Sequence, residues 1–219
     1  TEDALDRWSA MGATNRLTGH SPGFFSVYTL PPIQAVSPAS QRKINITRRQ
    51  KPSYRDTHAL ILKKTKSLLS GLQPGEVRNL NRAGESALFL TGDARKTPAI
   101  ADGSVRLTVT SPPFLDIVQY REDNWLRCWF NGLDARTIGR KITMARTVGD
   151  WASVMGDVFG ELFRITRPGG WVAFEVGEVR KGTIRLEEAV IPQGTAAGFD
   201  CDGVMINAQE FTKTSHIWG

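Results

Sequence analysis

Residues 105–114 read Val105-Arg106-Leu107-Thr108-Val109-Thr110-Ser111-Pro112-Pro113-Phe114. β-Branched residues stand at 105, 108, 109 and 110, and the turn pair Asp102-Gly103 comes just before, so the first six residues read as a strand. Two consecutive prolines then remove two backbone donors and fix two φ angles. The product is a stiff, extended turn at a strand's carboxyl end, with carbonyls left to accept, a hydroxyl at its start and an aromatic ring at its end. Upstream, Ala87-Leu88-Phe89-Leu90 is a compact apolar run that leads into Thr91-Gly92-Asp93. Downstream, a helix from about Asp150 to Ile165 sets Val154, Met155, Val158, Phe159, Leu162 and Phe163 on one stripe. Arg167-Pro168-Gly169-Gly170 then turns into a buried strand over Trp171 to Val176, and Val204-Met205-Ile206 reads as another. Strand, loop, helix, turn, strand is the rhythm of an α/β protein. The expected fold is a doubly wound, Rossmann-like sheet whose ligands sit at the strand carboxyl ends.

The amino-terminal part has a different character. A short helix is expected from about Glu2 to Met11 with Leu5, Trp8 and Met11 on one face, and a loose strand from Phe24 to Leu30. Asp56 or Thr57 caps a helix that runs to about Leu69, with Gly71 as its stop. Gly75 to Gly84 reads as an exposed linker. The chain therefore divides into a basic region over 1–85 and a catalytic region over 86–219.

Composition excludes several classes. The 219 residues carry 40% apolar side chains, enough for a core, and no run approaches the roughly 20 apolar residues that span a bilayer. No signal peptide opens the chain, which begins at Thr1 as an excised or trimmed polypeptide would. Cys128 and Cys201 are the only cysteines, too few for a disulfide framework or a cysteine-rich zinc site and consistent with a reducing cytoplasm. His20, His58 and His216 are scattered, so no metal site is expected.

The net charge of +6 is concentrated in one place. Between residues 42 and 66, nine basic residues (Arg42, Lys43, Arg48, Arg49, Lys51, Arg55, Lys63, Lys64 and Lys66) face one acid, Asp56, for a local net of +8. Asn45, Gln50, Ser53 and Tyr54 are interleaved among them. Such a window suits a phosphate backbone, with affinity that falls steeply with salt. The alternative is a solvated helix face followed by a basic loop.

The Ser-Pro-Pro-Phe turn carries the chemistry. A nucleobase amine is a poor nucleophile because its lone pair is delocalised into the ring. The Ser111 hydroxyl oxygen and the Pro112 carbonyl can accept its two hydrogens and stabilise the charge that develops on nitrogen, while Phe114 stacks on the base. Pro31-Pro32 is an internal control. Leu30 and Ile33 flank it with neither an acceptor nor a ring, and it reads as structural.

From about Ala87 to Gly219 the chain resembles the DNA amino-methyltransferases, which carry an Asp/Asn/Ser-Pro-Pro-Tyr/Phe/Trp signature. The resemblance rests on Thr91-Gly92-Asp93-Ala94-Arg95, Asp102-Gly103-Ser104-Val105, Thr110 to Phe114, Asp123 to Arg127, Arg167 to Gly170 and Thr214 to Gly219. It implies S-adenosylmethionine as cofactor and a base flipped out of double-stranded DNA as substrate. Ser111, Pro112, Pro113 and Phe114 would be the catalytic residues, and Asp93, Ala94, Thr110 and Ser111 the cofactor contacts. A serine in the first position favours the amine of cytosine over that of adenine. The basic region, through Arg42, Lys43, Arg48, Arg49, Lys51 and Arg55, becomes the DNA-positioning element. Asn124, Trp125 and Arg127 would line the cofactor or DNA side, although Trp125 and Trp129 at helical spacing also read as core. Asp116, Glu122 and Asp123 read as a solvated loop rather than an acid–base pair.

One family feature is not found. No Phe-x-Gly-x-Gly loop follows a strand. His20 to Phe25 has one glycine, and Phe174-Glu175-Val176-Gly177-Glu178 reads better as a later strand. The resemblance therefore implies that this loop lies before Thr1, beyond Gly219 or on a second chain. Two further readings compete: a methyltransferase acting on an RNA base or protein amide, and a non-catalytic DNA-binding subunit that keeps the proline loop without a complete cofactor site.

Overall fold

The computed structural model describes residues 3–19, 21–26, 35–51, 53–113, 115, 120–143, 145–179 and 183–207, without the side chains of 120, 178 and 179. They form a mixed α/β protein whose backbone falls into two compact units, Thr1–Leu90 with Val118–Thr143, and Thr91–Ile117 with Met144–Gly219.

The first unit is helical among the described residues. α1 spans Ala4–Thr14 and is capped by Asp3, whose carboxylate accepts from the backbone N–H groups of Leu5 and Asp6. α2 spans Pro38–Thr47, with Ser37 as cap and proline at the first helical position, where its missing N–H costs nothing. α3 runs Thr57–Leu69 from the expected Asp56 cap. Trp8 of α1 donates its indole N–H to Thr65 Oγ1 of α3 at 2.8 Å. α4, Pro74–Ser86, occupies the stretch expected to be a linker. It is exposed as anticipated, but Glu76 accepts from the Gln73 backbone N–H at 2.8 Å and completes a capping box that starts a helix. α5 spans Tyr120–Phe130 and α6 spans Ala135–Gly139. Both belong to this unit rather than to the region after 86. Trp125 of α5 donates to the Ala35 carbonyl at 2.7 Å, and Asn131 and Thr14 exchange side-chain hydrogen bonds. Glu122 and Asp123 thus lie on a helix, not in a loop. Trp129 is 70% exposed and is not core. Most of the strand expected over 24–30 lies outside the described residues, and 24–26 are irregular.

The second unit holds the parallel pairing expected from the sequence pattern. β1, Val105–Thr110, pairs with β2, Thr166–Phe174, in register Leu107 with Trp171, Thr108 with Val172, Val109 with Ala173 and Thr110 with Phe174. Between them the chain also passes through α5 and α6 of the first unit; α7, Val148–Ile165, leads directly into β2 and buries Trp151, Met155, Val158, Phe159, Leu162 and Ile165. Phe163, placed on the buried stripe by periodicity, is instead 48% exposed, with its ring edge-on to Phe199. β2 begins at Thr166, so Arg167 to Gly170 is part of the irregular first half of the strand and not a separate turn. A short antiparallel pair comes next, β3 (Glu178–Val179) with β4 (Ile184–Arg185), and then α8 (Leu186–Ala197). Helices α7 and α8 pack closely where Gly194 meets the Phe159 ring; α8 ends at Gly198, whose φ of 110° favours glycine. Leu186, fully buried, and Leu115, 2% exposed, complete this core.

The strand expected over 204–206 does not form, and the apolar run at 87–90 does not pair either. Residues 87–90 and 204–206 are apolar but unpaired and exposed, Phe89 and Met205 each at 96%. Short apolar runs become strands only when a neighbour takes their backbone groups. The expected doubly wound sheet is therefore represented, among the described residues, by one parallel pair.

Candidate active site

Ser111 stands at the carboxyl end of β1 and is exposed, whereas Pro112 is buried and Pro113 half-buried. The Thr110 carbonyl is used by the sheet, accepting from the Glu175 N–H at 2.9 Å. The Pro113 carbonyl accepts from the indole N–H of Trp151 at 2.9 Å. Trp151 is only 3% exposed and sits in the first turn of α7, after the Thr147 cap. A buried indole thus pins the second proline from below, and buried Leu115 holds the loop just beyond. Neither Ser111 Oγ nor the Pro112 carbonyl takes a hydrogen bond among the described residues. Phe114 lies outside the described residues, as does Asp116.

Sequence reasoning does not single out Trp151. Its signal is a tryptophan in the first turn of an amphipathic helix, which periodicity alone assigns to core.

The Thr-Gly-Asp loop is built differently. Asp93 and Ala94 are exposed. The Asp93 carboxylate is gripped by its own neighbour: Arg95 donates from Nε at 3.0 Å and from Nη2 at 2.6 Å, and its backbone N–H adds a third bond at 2.9 Å. These bonds lower the Asp93 pKa from its ordinary value to about 2. Further along, Thr97 donates its N–H and hydroxyl to Glu161 Oε1 at 2.5 and 2.6 Å. Arg164 bridges Glu161 (2.7 Å), the carbonyls of Thr97 and Ile100 (both 3.1 Å) and the Asp102 carboxylate. The Asp93 loop is therefore clamped to residues 161 and 164 of α7, and the proline loop to residue 151. At ~1.5 Å rise per residue these anchors lie about 15–20 Å apart along the helix. No hydrogen bond joins Asp93 or Ala94 to Thr110 or Ser111 among the described residues.

The clamp has a pH signature. Hydrogen bonds from Arg164 first, and then from Thr97, hold the Glu161 carboxyl well below the usual carboxylate range. The stabilisation is complete above the unfolded glutamate pKa of about 4.3 and is lost progressively as pH falls below it toward the lower folded value. Glu161→Gln is expected to lower Tm at pH 7, with the gap to wild type beginning to narrow below about pH 5 and partly closed by about pH 3 in thermal melts. A gap that stays constant over that range would show that the carboxylate charge does not contribute.

In the basic region Arg42, Lys43, Arg48, Arg49 and Lys51 are exposed. Arg55 is not: it is half-buried, its Nη1 donates to the Pro22 carbonyl at 3.2 Å, and its Nε is enclosed. Asn124 and Arg127 bond one another across one turn of α5 at 2.9 Å, within the first unit. The segment 174–178 leaves β2 for the β3–β4 hairpin rather than for a helix, so it does not form a glycine loop at a helix amino terminus. No group of three or more His, Cys, Asp or Glu side chains able to hold a metal occurs among the described residues, nor does a helix long and apolar enough to cross a membrane. No family model, curated protein or solved structure matches the chain.

Proposed function

We propose that the chain is the base-holding and DNA-contacting part of an S-adenosylmethionine-dependent DNA amino-methyltransferase with a doubly wound catalytic sheet, cytosine being favoured over adenine as the methylated base. The observation that carries this reading is the proline loop at the end of a parallel strand, with Ser111 open to solvent, two acceptors uncommitted among the described residues and the next carbonyl locked by a buried tryptophan. Such a loop holds its acceptors in place before the substrate arrives, so little reorganisation is needed as charge develops. Ser111 Oγ and the Pro112 carbonyl would accept hydrogen bonds from the two amine N–H groups and so draw the nitrogen lone pair out of conjugation. S-Adenosylmethionine, when bound, supplies the methyl group as an electrophile. The described residues do not complete its cradle: Asp93 is engaged by Arg95, and no glycine loop accompanies it. A segment outside 1–219 or a second chain is assigned that part.

The test is radiolabelled methyl transfer to unmethylated duplex DNA by the full-length parent polypeptide, with nucleoside analysis of the product. Label in the exocyclic amine of cytosine is the expected result, and label in adenine reverses the base preference alone. Transfer to RNA but not DNA would reject the reading. DNA binding without cofactor binding would assign the chain to a non-catalytic subunit.

A further inference from the structure

The turn that leaves α2 is built in a way its sequence does not require. Gln50 N–H bonds the Asn45 carbonyl at 2.9 Å and Arg49 N–H bonds the Ile46 carbonyl at 3.0 Å, the paired bonds of a Schellman ending. In that motif the left-handed position belongs to glycine, yet it is held here by Arg49 at φ 48°, the one described non-glycine residue with positive φ. The Asn45 side chain reinforces the turn, accepting from Gln41 at 2.9 Å and Gln50 at 2.7 Å. A helix that only needed to stop would be more stable with glycine at 49.

Five residues on, Tyr54 is 90% exposed. The residues after it are fixed: Arg55 is tied to the Pro22 carbonyl, and Asp56 caps α3 by accepting from Ala59 at 2.9 Å. A strained, cation-bearing turn and an open aromatic ring therefore sit within about 18 Å of chain, on residues anchored at both ends. Exposed Arg48 and Lys51 flank them, and the nearest acid in sequence, Asp56, is engaged as a cap. Strain kept at an exposed arginine points to a use for its side chain. A tyrosine ring in a cationic setting matches the face of a base with its phosphates alongside.

We infer that the turn at Arg48–Arg49 and the Tyr54 ring together read DNA, Arg49 holding a phosphate and Tyr54 stacking on a base that has lost its pairing partner. The inference rests on the DNA reading above but not on methyl transfer, and equilibrium binding tests it without cofactor. Fluorescence anisotropy would compare a paired duplex, the same duplex with one mismatch, and single-stranded RNA of the same sequence. Wild type should bind the mismatched duplex several-fold more tightly than the paired one. Tyr54→Ala should abolish that preference, with at least about a fivefold loss on the mismatched probe, and Tyr54→Phe should restore it. Because Tyr54 is open to solvent, its removal leaves the core intact, and an unchanged melt verifies this. Arg49→Gly should raise Tm by about 2–4 °C, weaken DNA binding and reduce the magnitude of the salt slope by about one. DNA binding that is indifferent to both substitutions overturns this inference and leaves the methyltransferase reading standing. Failure to bind DNA at all, or preference for the RNA, overturns both.

Discussion

Ser111→Ala is expected to lower methyl transfer by about 100- to 1,000-fold while leaving fold and DNA affinity unchanged. The size reflects the group that the substitution removes. In the proposed reaction the hydroxyl oxygen would be one of two acceptors facing an amine whose hydrogens become more acidic as the methyl group arrives, and losing a single preorganised polar contact of this kind costs about 2.7–4 kcal/mol of transition-state stabilisation. That contact strengthens only as charge develops, so the loss belongs in kcat rather than KM. The side chain is exposed and takes no hydrogen bond from the described residues, so stability should change by less than about 0.5 kcal/mol. Ser111→Asn, which keeps a side-chain oxygen, should lose less than alanine does. Single-turnover transfer assays on duplex DNA, paired with thermal melts, measure both quantities. Equal activity of the alanine variant and wild type would remove Ser111 from the chemistry, and a fall in Tm matching the fall in rate would make its role structural.

Local patterns in the sequence carry part of this fold. β1 declares itself through β-branched residues before a double proline, and α7 through a stripe that needs only periodicity. Asp56 gives away the start of α3 because a cap is a local hydrogen bond between near neighbours. α4 escapes although Gln73 and Glu76 form its capping box, since an exposed helix with few apolar residues lacks the stripe that identifies one. The lack of pairing at 204–206, expected as a strand, and in the apolar run 87–90 is of another kind. Their composition suits a strand, but pairing is a property of two segments, and neither segment has a partner among the described residues. α8 escapes because Pro192 and Gly194 lie inside it; its stability comes from packing against α7 and not from propensity.

The site itself is half legible. The chemistry proposed for Ser111 and the prolines is read from their identities. The contacts that fix them, or that fix the neighbouring loop, join residues far apart: Trp151 to Pro113 across 38 positions and Thr97 to Glu161 across 64. No local pattern encodes such a contact. Asp93 shows the reverse risk. A carboxylate in a suggestive motif is bound by the arginine two residues later, and the short spacing that makes the motif recognisable also lets its members satisfy each other.

Trp151 should therefore be a sensitive position outside the signature, and two substitutions separate its roles. Trp151→Ala removes a side chain enclosed in the cluster with Met155, Leu115 and Leu186, and a loss of about 3–5 kcal/mol is expected, a large part of what a domain this size has to lose. Trp151→Phe keeps most of the ring but deletes the indole N–H that reaches the Pro113 carbonyl. Loss of that bond leaves a partly buried acceptor unsatisfied, at about 1–3 kcal/mol. The second effect is geometric. A proline loop no longer held from below can shift its acceptors, and a misplacement of about 1 Å is enough to cost ~100-fold in rate. The phenylalanine variant should accordingly melt only a few degrees below wild type, bind DNA as tightly, and transfer methyl groups much more slowly. Amide exchange of residues 111 and 115, which flank the prolines, reads the same event without chemistry and should accelerate in Trp151→Phe while the interior of α7 stays protected. If exchange at both positions is unchanged, the indole is only a core side chain, and the rigidity of the loop must come from the prolines and from Leu115 beneath them.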